Sequence, residues 1–353
     1  MNENTGSERN KAKDDHIEIM QRREHSRRER EIQRQEKRLI KEANKKLIYA
    51  PKKTRRSLGL LYIDPEGVMH FSDGRWLKIY RVKGNCSNLP DSAGKIRGRC
   101  ILTHRIKAGA EDIYLTLTQE GNTYELVRRA FAEDEKCLEE MELKNMDMEE
   151  TVNTICGKMY PDKSITDDRT PFSFGDFMKK RGDLETVLFP SVTDAYDRCG
   201  IGNSFGISMF VMQYPDRCDS SVIRAMKEEG VDDMVISIGI NKVSVEERAL
   251  LIRNLAERYA LPLSDDQVEP FINASMKVAV FGSDEERVGR IGSKAERCFL
   301  KSGFMIAPGF GDQKESIYSL LSLGITQQGS FRNMTDKAIK EFFRREYGRY
   351  DTD

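Results

Sequence analysis

Three adjacent carboxylate pairs, Asp167-Asp168, Asp232-Asp233 and Asp265-Asp266, and one cysteine beside glycines, Cys199 before Gly200-Ile-Gly202, are the residues that acid–base or nucleophilic chemistry would use. The carboxylates fall at the edges of patterned segments, where Asp caps helices and solubilises turns, and spacing alone brings none of them together. No histidine follows His104, so a thiolate–imidazole pair at Cys199 would have to form between distant segments, and the thiol reads as a small buried apolar group. Phosphate chemistry needs a G-x-x-x-x-G-K-[S/T] loop whose backbone N–H groups cradle the phosphates while its Lys reaches the terminal ones. The chain has no such string. Gly289-Arg-Ile-Gly-Ser-Lys294 lacks the Gly-Lys pair and sits in a helical pattern, and Pro308-Gly-Phe-Gly-Asp312 is a lone G-x-G that reads as a turn. Seven Cys with no C-x-x-C and four scattered His offer no metal-ligand spacing. The expectation is no catalytic residue, no metal and no cofactor.

Charge distribution points elsewhere. Residues 1–56 carry 18 Lys/Arg against 10 Asp/Glu, and since the whole chain is neutral the remainder has a deficit of eight. Between Glu8 and Leu47 there is no Pro or Gly, and Glu18/Arg22, Glu24/Arg28 and Glu42/Lys46 are i,i+4 pairs in the favourable orientation, which predicts a long charged helix. Ile17, Met20, Ile32, Leu39, Ile40 and Leu47 make no sustained heptad, so a coiled coil is only weakly supported. Such a helix is either a solvated arm or a contact surface. In the second case Arg22, Arg23, Arg27, Arg28, Arg30, Arg34, Lys37 and Arg38 would meet nucleic acid or an anionic membrane surface. No aromatic residue precedes Tyr49, which argues against base stacking by the arm.

The elements that position all of this follow hydrophobic periodicity. Leu58 to Ile63, Val68 to Phe71 and Trp76 to Val82 read as strands separated by turns at Pro65-Glu-Gly67 and Ser72-Asp-Gly74; Cys100 to Ile106 and Ile113 to Leu117 extend the pattern. The single Trp76 reads as a sheet-face or core residue. From Tyr124 the period becomes helical, with Val127, Phe131, Leu138 and Met141 on one side, and Asp147 with Glu150 opens a second helix to Met159. The longest organised stretch is Ser204 to Pro308. Strands at Phe205–Gln213, Met234–Ile240, Ala274–Phe281 and Phe304–Ile306 alternate with helices opened near Ser220, at Ser244 and at Ser283-Asp-Glu-Glu286. The predicted class is α/β, α+β overall: a β-rich N-terminal part, then repeated strand–helix units, with the long charged helix in front. The predicted parts are an arm at 1–56, a β-rich segment with helices at 57–165, an α/β domain at 166–345 and a tail at 346–353, with the polar stretch Asp162 to Thr170 at the boundary. No apolar run approaches the roughly 18 residues of a spanning helix, which predicts a cytoplasmic chain that the arm can hold against the inner face of the membrane.

Phe172-Ser-Phe174, Leu188-Phe-Pro190 and the strand Phe205 to Gln213 ending at Tyr214-Pro215 resemble the N-terminal half of conjugative type IV secretion ATPases of the TraC/TrbE/CagE-like kind. The resemblance continues through Val235-Ile-Ser-Ile238, Lys277 to Arg297, Gln313 to Leu321, Ser322-Leu-Gly324, where the family usually has Pro at the position of Ser322, and Arg332-Asn-Met-Thr335. It begins near Asp73 to Val82 and includes Glu142 to Tyr160. It implies the non-motor half of such an ATPase, standing alone because the motor would have to begin where this chain ends. The implied role is a non-catalytic scaffold or adaptor in conjugative DNA transfer. Its partners would be proteins of the secretion channel, including its ATPase, and further copies of itself. The alternatives are a nucleic-acid-binding accessory protein of a mobile element and the front half of a split ATPase.

Overall fold

The computed structural model describes residues 60–71, 73–121, 123–161, 188, 192–216, 218, 220–259, 271–309, 311, 313–324 and 332–343. The basic arm and the 162–170 stretch lie outside them.

The chain enters a sheet through β1 (Leu60–Ile63), β2 (Met69–Phe71) and β3 (Arg75–Val82), crosses a short helix α1 (Leu89–Ala93), and adds the long hairpin β4 (Arg99–Lys107) and β5 (Ala110–Glu120). Helix α2 (Tyr124–Cys137), strand β6 (Leu143–Asn145) and helix α3 (Met148–Asn153), which widens into a π-helical turn over Thr154–Met159, complete the first half. The second half runs β7 (Val192–Asp194), β8 (Cys199–Ile201), β9 (Ser204–Gln213), α4 (Ser221–Glu228), β10 (Asp233–Lys242), α5 (Val245–Tyr259), β11 (Phe271–Gly282), α6 (Glu285–Lys301), β12 (Met305–Pro308), α7 (Gln313–Leu321), β13 (Arg332–Thr335) and α8 (Asp336–Lys340).

All the described pairings are antiparallel. The main order is β1-β2-β3-β5-β4-β10-β11-β9-β8-β7, with β12 beside β9, β13 beside β11 and β6 beside β3. Within it, β12-β9-β11-β10 is the order of a split βαβ unit: β9 and β10 run parallel with β11 inserted between them, α4 and α6 are the two crossovers, and α5 fills the β10–β11 connection. One sheet spans both halves of the chain, because β4 pairs with β10 from Cys100 opposite Ile240 to Lys107 opposite Asp233.

The two faces of this sheet differ in chemistry. One carries Cys100, Leu102 and Ile106 of β4 beside Ile240, Ile238 and Met234 of β10, all buried, and is covered by α2, α4 and α6. Helix α6 shows why: Asp284 accepts from Arg287 N–H at 2.7 Å, and Val288, Ile291, Ala295, Cys298 and Phe299, spaced for one helical stripe, are all buried. The Asp284 cap sits one residue beyond the Ser283 that opens the predicted capping box, and the helix ends before Gly303 at φ +80°. The opposite face carries Thr116, Thr103, Ser208 and Arg105, all buried as well, with the half-buried Ser237 among them. Helix α7 covers part of it: Gln313, fully buried, accepts from Ser208 N–H at 2.7 Å and returns its amide to Ser208 C=O at 3.1 Å, so one side chain serves Ser208 on the polar sheet face. The Thr116 hydroxyl donates to Leu323 C=O just beyond α7. The end of the π-helical turn covers another part, where Arg105 Nε donates to Lys158 C=O at 3.2 Å and Lys107 Nζ to Tyr160 C=O at 3.0 Å, cations on helix-terminal carbonyls.

Candidate functional site

Helix α2 lies across β3 and β5 and leaves a hollow on each side. It is pinned by Asp134, which is 1% exposed and accepts from Arg97 N–H at 2.9 Å, Gly98 N–H at 3.2 Å and the Gln119 amide. That contact explains the tight approach at Gly98, where an added Cβ would lie 2.2 Å from Thr118 C=O.

The first hollow is a pocket of about 220 Å³. Trp76, Tyr124 and Phe131 form its aromatic walls, and Lys78 and Glu135 meet within it at 3.0 Å. The residues alternate for a structural reason: Trp76, Lys78 and Tyr80 share the face of β3 beneath α2, while Phe131 and Glu135 are one turn apart on the helix above. Glu135 Oε1 accepts from both Lys78 Nζ and Tyr80 O–H, the latter at 2.7 Å. Burial and the adjoining Glu135 carboxylate hold the Tyr80 phenol protonated, well above the usual tyrosine range. Behind the pocket, Tyr124 O–H donates to Asp64 at 2.8 Å, and burial raises the Asp64 carboxyl despite that bond. Trp76 N–H is satisfied by Gly121 C=O at 2.9 Å, and the His70 ring stacks on the indole at 4.0 Å. At the rim Arg128 pairs with Glu66 at 2.6 Å.

The second hollow is a groove of about 690 Å³ between the end of the β4–β5 hairpin and α2. Arg97 pairs with Glu133 at 2.9 Å across it, and Leu126, 62% exposed, stands on its helical wall. A ridge with an exposed apolar residue between two charge-lined hollows is a shape for holding a partner or a small ligand.

A third group lies deep on the polar face. Arg105, 2% exposed, donates to Asp233 at 2.5 Å and to the carbonyls of Ile106, Met234 and Lys158, while its Nη2 has no hydrogen-bond partner among the described residues. Burial raises the Asp233 carboxyl, with Arg105 opposing the shift. The arrangement joins β4, β10 and the turn after α3, and it is an internal clamp.

The residues singled out from sequence fall as follows. Asp233 belongs to the clamp; Asp167, Asp168, Asp265 and Asp266 lie outside the described residues, as do Arg22, Arg23, Arg27, Arg28, Arg30, Arg34, Lys37 and Arg38. Cys199 is fully buried in β8 and burial pushes its thiol up to about 12, so at neutral pH it is no nucleophile. Gly289 to Lys294 is interior to α6. Trp76 is buried, as its surroundings predicted, and it also lines the pocket. Asp64, Lys78, Glu135 and Arg105 carried no signal in the sequence, being charged residues embedded in ordinary strand and helix patterns. Among the described residues no cluster of His, Cys, Asp and Glu is arranged to hold a metal, and no helix is long and apolar enough to cross a membrane. No protein-family model matches the chain, and no curated protein matches it.

Proposed function

We propose that this chain is a non-catalytic scaffold of a conjugative type IV secretion system, equivalent to the N-terminal half of its ATPase and acting by holding channel proteins and the ATPase in place. The observation that carries the reading is how the resembling segments meet. Phe205 to Gln213 is β9, Gln313 to Leu321 is α7, and they are joined through Ser208 and Gln313; Arg332 to Thr335 is β13 and pairs with Phe271 to Ala274 of β11. Segments far apart in sequence thus contribute to one body, as a shared module would require. The deficit of eight charges in residues 57–353 favours basic partner surfaces, and the α2 ridge with Leu126 offers an apolar contact inside a charged rim.

Deletion of the gene, scored by DNA transfer between cells, tests this. Transfer should fall by orders of magnitude and return with the full chain supplied in trans, while the purified chain shows no ATP binding by calorimetry. Unchanged transfer, or micromolar ATP affinity, would remove the reading.

A further inference from the structure

The pocket beneath α2 has a composition that excludes most ligand classes. Its volume, about 220 Å³, is equivalent to roughly seven waters of liquid, below the ~300 Å³ at which pockets for drug-sized molecules begin, so it admits one ring or one side chain. An organic cation would meet Lys78, whose ammonium sits within the pocket. An anion would meet Glu135 and Glu66, with the Asp64 carboxyl behind Tyr124. A plain hydrocarbon would leave polar capacity unmet. Lys78 is 8% exposed and among the described residues gives one hydrogen bond, to Glu135 Oε1, so its further N–H groups can meet an acceptor on a ligand. Both bonds that Glu135 receives land on Oε1, and Oε2 has no protein donor among the described residues. What fits is a neutral flat ring with a donor and an acceptor side by side on one edge.

We propose that this pocket binds a nitrogen heterocycle of the nucleobase class, its ring against Trp76 and Tyr124 and its polar edge against Glu135 and Lys78. Every nucleobase presents an adjacent donor and acceptor on its pairing edge, and a base on an aromatic side chain gains about 1–3 kcal/mol. Guanine shows the match: N1–H donates to Glu135 Oε2 while O6 accepts from Lys78 Nζ. The base arrives as a free nucleotide or within a single strand, and the rim Arg128 is placed near the sugar–phosphate side in either case. The proposal is independent of the scaffold reading and stands or falls separately.

The chain has a single tryptophan, so emission excited at the red edge reports Trp76 and hence this pocket. The full chain is titrated with guanosine monophosphate, with a short single-stranded oligonucleotide and with benzene, a ring that lacks the donor–acceptor edge and does not absorb at that wavelength. A saturable change in Trp76 emission with the nucleotide or the strand is expected, and whichever acts at lower concentration identifies the source of the base. Glu135→Gln should weaken that binding at least ten-fold and leave benzene binding unaffected. Ala132→Phe, at an exposed lining position that makes no demand on the core, should block it while leaving the emission maximum of the free protein in place. No saturable change at millimolar nucleotide or strand, equal binding by Glu135→Gln, or benzene binding as tightly as the nucleotide would overturn the proposal.

Discussion

Replacing Arg105 with Met tests the clamp that joins the two halves of the sheet. The guanidinium holds the Asp233 carboxylate at 2.5 Å and three backbone carbonyls, on β4, β10 and the turn after α3. Removing one partner of a buried pair costs about 3–5 kcal/mol, since it leaves an uncompensated charge. Two features lower that figure here. The Asp233 side chain is 23% exposed, so water partly replaces the lost cation, and the orphaned Nη2 of Arg105, itself a cost of about 1–3 kcal/mol, disappears with the substitution. Methionine refills the volume of the aliphatic stem. A net loss of about 2–3 kcal/mol at neutral pH follows, read from the midpoint of urea unfolding at constant slope. The pH dependence carries the diagnosis. The Asp233 carboxyl is already raised by burial, and without Arg105 it rises further. A carboxyl raised in the folded state favours folding most below its unfolded value and loses that contribution as pH climbs through its folded value. The variant's deficit should therefore shrink as pH falls from 7 to 4, and Arg105→Met with Asp233→Asn should recover part of the loss at pH 7. A deficit under about 0.5 kcal/mol, or one that is the same at both pH values, would refute the reasoning.

Glu111 accepts from His104 and from Lys227 of α4, each at 3.0 Å, and the His104 hydrogen bond first, then the Lys227 ammonium, depress its carboxyl to about 2. Glu111→Gln should cost about 1–2 kcal/mol at pH 7, a gap that closes between pH 4.5 and 2 because a depressed carboxyl stabilises only above those values; a pH-independent gap contradicts the assignment. Thiol labelling of the native chain at pH 8 should modify Cys137 rapidly and the other six cysteines slowly, since Cys137 alone is exposed and burial lifts the Cys100 and Cys199 thiols to about 12; two or more fast thiols would mean an opened core. Gly98→Ala, which drives a Cβ to 2.2 Å from Thr118 C=O, should lower stability by about 1–3 kcal/mol, and a neutral result would show that the β4 entrance yields freely.

Much of the fold was legible because its periodic segments are long. The strands predicted at Phe205, Met234, Ala274 and Phe304 are β9 to β12, and Asp147 caps its helix through Glu150 N–H at 2.8 Å. Three-residue strands such as β6 and β7 were invisible, since they exist only through pairing with β3 and β8. Helix α1, five residues with Pro90 at its start, is too short to show a period. The strand order was also beyond reach: alternating strands and helices fit a parallel sheet or a split antiparallel one equally, and long-range pairing chose the second. The candidate pocket depends on convergence of the same kind. Lys78 and Glu135 are 57 residues apart, and Arg105 and Asp233 are 128 apart, so local pattern carries no trace of either pair.

The scaffold assignment is tested most directly by crosslinking inside cells that carry the transfer genes. A photoreactive residue at the exposed Leu126 position of the full chain is activated during mating, and the captured molecules are identified after denaturing purification. The account predicts adducts with the ATPase or channel subunits of the same secretion system, absent when those genes are deleted. Adducts with nucleic acid alone would contradict it, as would an unchanged adduct pattern after the channel genes are removed.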